Sequence, residues 1–235
     1  ATVSGVMTFT TANWNTAQTV TVTGVADDDI ANETVTISHT IAGADAAVTS
    51  ANVTATVTDD GIGASVVIGS QTWSASNVSL VPTANNTLDT DYWKAYEGTH
   101  GRPGSSAADE DGYYYTWDAA MNVCPSGWSL PSDSDWKVLE GQLGMSTTQQ
   151  NSIGWRGTDE GTKLKVGGSS NFEAKLAGFR STNGSFYSRG YTTDLWSSTG
   201  SSSSAYRRSL KTDEAKVTRK TFNKAYGFSV RCLKD

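Results

Sequence analysis

The chain has 235 residues, of which 37% are hydrophobic, and a formal net charge of -6, enough for one large or two modest domains. No apolar run approaches the ~18–20 residues that cross a bilayer. The two cysteines lie in no short-spaced Cys/His cluster of the zinc-binding kind. Charge is uneven: residues 1–204 hold nine Lys/Arg against twenty-one Asp/Glu, residues 205–235 hold nine against three, and no Lys or Arg precedes Lys94. An acidic body with a locally basic tail argues against a nucleic-acid-binding protein, and the lack of a long apolar run argues against direct membrane insertion.

Ala1 opens directly into strand-like sequence, as expected of a processed or excised piece of a longer protein. Four runs alternate apolar with hydroxyl residues: Val6–Thr10, Thr19–Thr23, Thr34–Ser38 and Val53–Val57. Period two in β-branched residues predicts antiparallel strands with one buried face. Phe9-Thr10-Thr11-Ala12-Asn13-Trp14-Asn15, with Ala26-Asp27-Asp28-Asp29 and Val57-Thr58-Asp59-Asp60, resembles the second half of bacterial Calx-β/immunoglobulin-like adhesin repeats. The resemblance implies a partial all-β immunoglobulin-like sandwich over residues 1–62, about 60 residues where such a domain usually takes about 100. Asp27, Asp28, Asp29, Glu33, Asp59 and Asp60 are of the oxygen-ligand type that Ca²⁺ prefers. Aspartates also cluster at strand ends as turn formers, and the spacing is not that of an EF-hand loop. No metal site and no cofactor are assigned.

Gly61-Ile62-Gly63-Ala64 marks a junction, placing a second domain at 63–235. Within it, Thr116 can cap a helix carrying Trp117, Ala120, Met121 and Cys124 at i, i+3, i+4 and i+7, one apolar stripe ended by Pro125. Ser132 can cap a second helix, with Asp133 and Asp135 in the positive first turn, Trp136, Leu139 and Leu143 on one face and Gly144 as stop.

Several separated motifs occur in a family-like order. They are Val66–Asn77 with its Trp73, Cys124-Pro125-Ser126-Gly127-Trp128-Ser129-Leu130-Pro131, Gly178-Phe179-Arg180, Leu195-Trp196-Ser197-Ser198-Thr199, and Tyr226-Gly227-Phe228-Ser229-Val230-Arg231-Cys232. Together they resemble the Fibrobacter succinogenes major paralogous (FISUMP) domain. The resemblance implies an α+β C-type-lectin-like fold of two helices and small antiparallel sheets, and a Cys124–Cys232 disulfide tying the first helix to the final strand. Two free buried thiols are the alternative. A disulfide would place the protein in an oxidising setting, extracellular or on a cell or virion surface.

The chemistry-bearing residues point away from catalysis. His39 and His100 are isolated, and Ser201-Ser202-Ser203-Ser204 lacks the glycines of a nucleophile elbow. The Glu-Pro-Asn, Gln-Pro-Asp and Trp-Asn-Asp motifs of calcium-dependent sugar sites in animal C-type lectins are absent. Sugar binding by aromatic stacking stays open.

The stretch from Thr182 to Tyr226 is more informative. Arg207, Ser209 and Lys211 alternate along one predicted strand, and Lys216, Thr218, Lys220 and Phe222 along the next, so each set shares a face. Arg207, Ser209, Lys216, Thr218 and Phe222 are expected outward, with Tyr206, Leu210 and Val217 inward. Tyr187, Tyr191, Asp194 and Tyr226 extend the mixed set, in residue types that binding surfaces favour. A polar strand face without a partner is the plainer reading. The tail's Arg208, Arg219 and Arg231 fall at scaffold-like positions, which leaves little of its charge for nucleic acid. C-type-lectin-fold variable proteins of diversity-generating retroelements end in a domain like this one, with scattered diversified positions near the C-terminus. That resemblance implies a surface-displayed protein binding an unidentified protein or glycan ligand. A glycan-binding or structural adhesin module is the alternative.

Overall fold

The computed structural model describes Thr2–Val3, Thr10, Ala12, Thr16, Val22–Thr23, Glu33–Ile37, Val53–Val57, residues 62–79, Tyr92–Trp93 and residues 111–235. The chain divides into two compact units, Ala1–Asp60 and Gly61–Asp235.

In the first unit, β1 (Thr2–Val3) pairs antiparallel with β2 (Val22–Thr23), and β3 (Glu33–Ile37) with β4 (Val53–Val57). Thr34, Thr36 and Thr54 are exposed, so the hydroxyl phase of the alternation faces water. The predicted strand portions Val6–Phe9, Thr19–Thr21 and Ser38 lie outside the described residues. So do Asp27, Asp28, Asp29, Asp59 and Asp60, and both His39 and His100.

The second unit is α+β, with four short helices among the described residues. It opens with the hairpin β5 (Ser65–Ile68) and β6 (Gln71–Ser74), turned by Gly69 at φ +64°. β7 (Tyr92–Trp93) pairs with β8 (Tyr114–Tyr115). There follow α1 (Trp117–Ala120), β9 (Trp128–Ser129), α2 (Asp133–Gln142), α3 (Thr147–Asn151), β10 (Gly154–Arg156) and α4 (Glu160–Leu164). Next come β11 (Phe179–Arg180), β12 (Phe186–Tyr187), β13 (Thr192–Gly200), β14 (Ser204–Lys211), β15 (Glu214–Asn223) and β16 (Leu233–Lys234). Two four-stranded sheets result, ordered β5-β6-β16-β9 and β10-β15-β14-β13.

The caps act where expected. Thr116 accepts from the Ala119 N–H, and Ser132 forms a reciprocal capping box with Asp135. The first helix is nevertheless a single turn, because Asn122 Nδ2 takes the Asp118 carbonyl that a continuing ladder would use. Met121 is therefore exposed instead of completing the apolar stripe. The two helices not anticipated, α3 and α4, have no apolar stripe of helical period, and α3 buries no residue.

The disulfide is present: Cys124 joins Cys232 with Cα atoms 5.8 Å apart. It links the turn after α1 to the residue before β16, and the loop model assigns about 4–5 kcal/mol to closing a ring of roughly a hundred residues.

Among the described residues the core has two large parts and a small third one of Tyr114 and Ala177. Trp73, Trp136, Leu139, Phe172, Leu195, Leu210 and Val217 form one; Tyr115, Ala120, Trp196, Phe228, Val230 and Cys232 belong to the other. Adjacent residues of β13 serve different parts, Leu195 the first and Trp196 the second, as the strand's period of two requires. The Trp196 indole donates to the Tyr115 carbonyl at 2.8 Å, satisfying the one polar atom of that ring. No helix among the described residues is long and apolar enough to cross a membrane.

Candidate ligand-binding face

The site is built on the sheet β10-β15-β14-β13, whose two faces have different surroundings. The inner face carries Val217, Arg219, Arg208, Leu210 and Leu195. Asp133, the first residue of α2, takes both Arg219 Nε and an Arg219 Nη at 2.8 Å, and Arg208 at 2.9 Å. Glu140, two turns on, accepts Arg208 at 2.6 Å and Arg156 at 2.7 Å. Burial raises the Asp133 carboxyl, but the Arg219 and Arg208 contacts and Lys137 outweigh it and hold the group far below its ordinary range. The scaffold-like assignment of Arg208 and Arg219 thus has a physical basis in paired burial. Arg231 is also buried, donating to Asn77 Oδ1 and to the Ser74, Phe172 and Glu173 carbonyls at 2.7–2.9 Å. Burial pushes its guanidinium down to about 9.

The outer face carries most of the sequence-nominated residues. Register places Asp194 opposite Ser209, Ser209 opposite Thr218, Arg207 opposite Lys220 and Ala205 opposite Phe222. Arg207 pairs with Asp194 and lies over the Phe222 ring at 4.8 Å and the Phe228 ring at 5.5 Å. Phe222 meets Tyr226 edge-on at 4.6 Å; Tyr226 lies 6.3 Å from Phe179, on which Tyr187 stacks at 5.6 Å. Tyr187 and Lys216 are exposed, as is Lys220, while Arg207, Phe222 and Tyr226 are half-buried.

Three nominated residues are not outward groups. Asp194, Ser209 and Thr218 are 5–7% exposed. Ser209 and Thr218 occupy the middle of the sheet, where short side chains lie below longer neighbours such as Arg207, Lys216 and Lys220. Asp194 is covered where Ser229 bonds to its backbone carbonyl and Arg207 to its carboxylate. Burial raises the Asp194 carboxyl, opposed by Arg207 and by the Ser209 hydroxyl. Among the residues expected inward, Leu210 and Val217 are buried, but Tyr206 is only half-buried, beneath the Arg219 guanidinium at 4.2 Å.

Two nominated residues belong to a separate group. Lys211 Nζ lies 4.8 Å from the Tyr191 ring and 3.0 Å from Asp213, at the β14–β15 turn. Hydrogen bonds to Tyr191 and Asp213 raise the Lys211 amine, and Lys211 in turn lowers the Asp213 carboxyl. Nearby, Lys165 Nζ bonds the Lys211 and Glu214 carbonyls at 2.8 and 3.0 Å, beside an open cavity of about 310 Å³ lined by Val166, Leu176 and Thr212.

Sequence reasoning missed Trp155. It stands on the edge strand β10 opposite Thr218, 43% exposed on the outer face. The available signal was an aromatic residue between Gly154 and Arg156, too short a run to show alternation. No group of three or more His, Cys, Asp or Glu side chains suited to a metal occurs among the described residues.

The family model of the Fibrobacter succinogenes major domain matches residues 66–234. The chain belongs to that family. The match begins inside β5 and ends in β16, so the disulfide, the arginine network and both sheet faces all lie within the Fibrobacter succinogenes major domain. Neither the curated proteins nor the solved structures give a match.

Proposed function

We propose that this chain is a non-catalytic ligand-binding protein displayed outside the cell or on a virion. In this reading its Fibrobacter succinogenes major domain adopts a C-type-lectin-like arrangement and meets a protein or glycan partner on the outer sheet face. One observation carries the reading. The inner face is locked by buried ion pairs, while the outer face places Arg207, Lys216, Lys220, Phe222, Tyr187 and Tyr226 on the same scaffold with some or all of their surface open. The one carboxylate at the centre of that face, Asp194, is buried against Arg207, an arrangement that positions a guanidinium and suits recognition better than proton transfer.

The division between faces also favours the variable-protein reading over a purely structural adhesin module. Arg208, Leu210, Val217 and Arg219 hold the scaffold, and the exposed Lys216 and Lys220 beside them can change without entering it. A template repeat near the gene, matching the stretch from Arg180 to Asp235 and differing at adenines, would support diversification. The binding claim is tested by screening the chain against glycan and surface-protein libraries. Replacing Tyr187, Lys216 and Lys220 together by Ala should abolish any hit while leaving the melting temperature in place. Unchanged binding by that variant would refute the assignment of the face.

A further inference from the structure

The open half of the outer face narrows the chemistry of its ligand, an inference that rests on the ligand-binding reading above. Trp155 presents an indole at the sheet edge, a flat apolar surface kept in water. Lys216 and Lys220 lie two residues to either side of its cross-strand partner Thr218, on the same face by the pleat. Both are exposed, and neither forms an ion pair among the described residues.

Between the two lysines Thr218 is only 7% exposed, and Arg207 is committed to Asp194. Against the three cations stand Asp194, already paired with Arg207, and Glu214, whose carboxylate accepts the Lys216 backbone N–H. In a chain of net charge -6 this is a locally positive surface, complementary to an anion.

We propose that this surface binds an acidic polysaccharide, a chain of uronic acids. The C–H face of a pyranose ring stacks on Trp155, and carboxylates meet the two lysines as charge-assisted hydrogen bonds. Lys216 and Lys220 are roughly 13 Å apart along the strand. One small anion cannot serve both, whereas a repeating acid can. Single-stranded nucleic acid fits less well, because such sites stack successive bases on several aromatic platforms and this one offers a single open indole beside its lysines.

The test uses the full chain and three polymers: polygalacturonate, its methyl ester and poly(U) RNA. Polygalacturonate should bind with an affinity that falls as salt rises, and the uncharged ester should bind more weakly. Trp155→Ala should cost about tenfold or more in affinity, with Trp155→Tyr retaining most of it and both variants melting as wild type does. Lys216→Gln with Lys220→Gln should flatten the salt dependence. Failure of polygalacturonate to bind, equal binding of the ester, indifference to Trp155→Ala, or preference for poly(U) would each overturn the proposal. If polygalacturonate fails while a library hit is lost on replacing Tyr187, Lys216 and Lys220, only the ligand class falls. If that hit survives the replacement, the ligand-binding reading falls with it.

Discussion

The two faces of the sheet β10-β15-β14-β13 use the same residue type for opposite ends. On the inner face Arg208 and Arg219 are 0% and 6% exposed and share Asp133, with Glu140 completing the network through Arg208 and Arg156. On the outer face Arg207 has one carboxylate partner, two aromatic rings beneath it and an Nε left over. Residues adjacent in sequence therefore differ in what they can spare. A buried ion pair fixes geometry and is costly to break, whereas the exposed cations on the outer face, Lys216 and Lys220, can still take a partner.

The comparison breaks most readily at Asp133. Asp133→Ala leaves Arg208 without one carboxylate and Arg219 without its bidentate acceptor, and should cost about 3–5 kcal/mol in urea unfolding. A loss below about 1 kcal/mol would mean that water reaches the network and that the inner face is not locked.

Leu210→Ala comes next. Leu210 is 1% exposed in the cluster with Trp136 and Leu195, so truncation should cost about 2–5 kcal/mol through lost burial and a cavity. Lys220→Ala, on the other face, should stay within about 0.5 kcal/mol of wild type. Equal costs would erase the distinction.

Acid separates the faces by sign. Asp133 titrates below its ordinary value of 3.8 in the folded chain, so its contribution is present above that value and is lost as pH falls below it. Asp194 titrates above 3.8, chiefly through burial, so its contribution is full below that value and is lost as pH rises through the folded one. In melting curves across the acid range, Asp133→Asn should flatten the decline below about pH 4, and Asp194→Asn should steepen the rise just above it. The same direction of change in both variants would contradict the assignment.

These outcomes also mark what was legible in the sequence. Cap residues announce themselves locally, which is why Thr116 and Ser132 could be placed, and the cysteine pair and scaffold arginines followed from motifs. Partnerships across sequence were not legible: Asp133 lies 75 residues from Arg208 and 86 from Arg219, and no local pattern joins them. Period two assigned faces correctly for Lys216 and Lys220, yet it says nothing about depth, so Ser209 and Thr218 were expected outward although their longer neighbours shield them. α3 and α4 escaped because five-residue helices have too few turns to show a stripe.

The smallest expected effect is the most specific to the outer face. Thr218 is buried with an unpartnered hydroxyl, whereas Ser209 across from it hydrogen-bonds Asp194. Thr218→Val keeps the branched shape that suits a strand and removes a polar atom that folding leaves unsatisfied, so it should be neutral or stabilising by up to about 1 kcal/mol. Ser209→Ala removes a bonded group and should cost about 1 kcal/mol. Because Thr218 is only 7% exposed, the valine variant should leave ligand affinity unchanged, while exposed Lys216 and Lys220 carry it. A Thr218→Val protein that is less stable than wild type would show that the hydroxyl already has a partner, and that the centre of this face is held by hydrogen bonds as well as by packing.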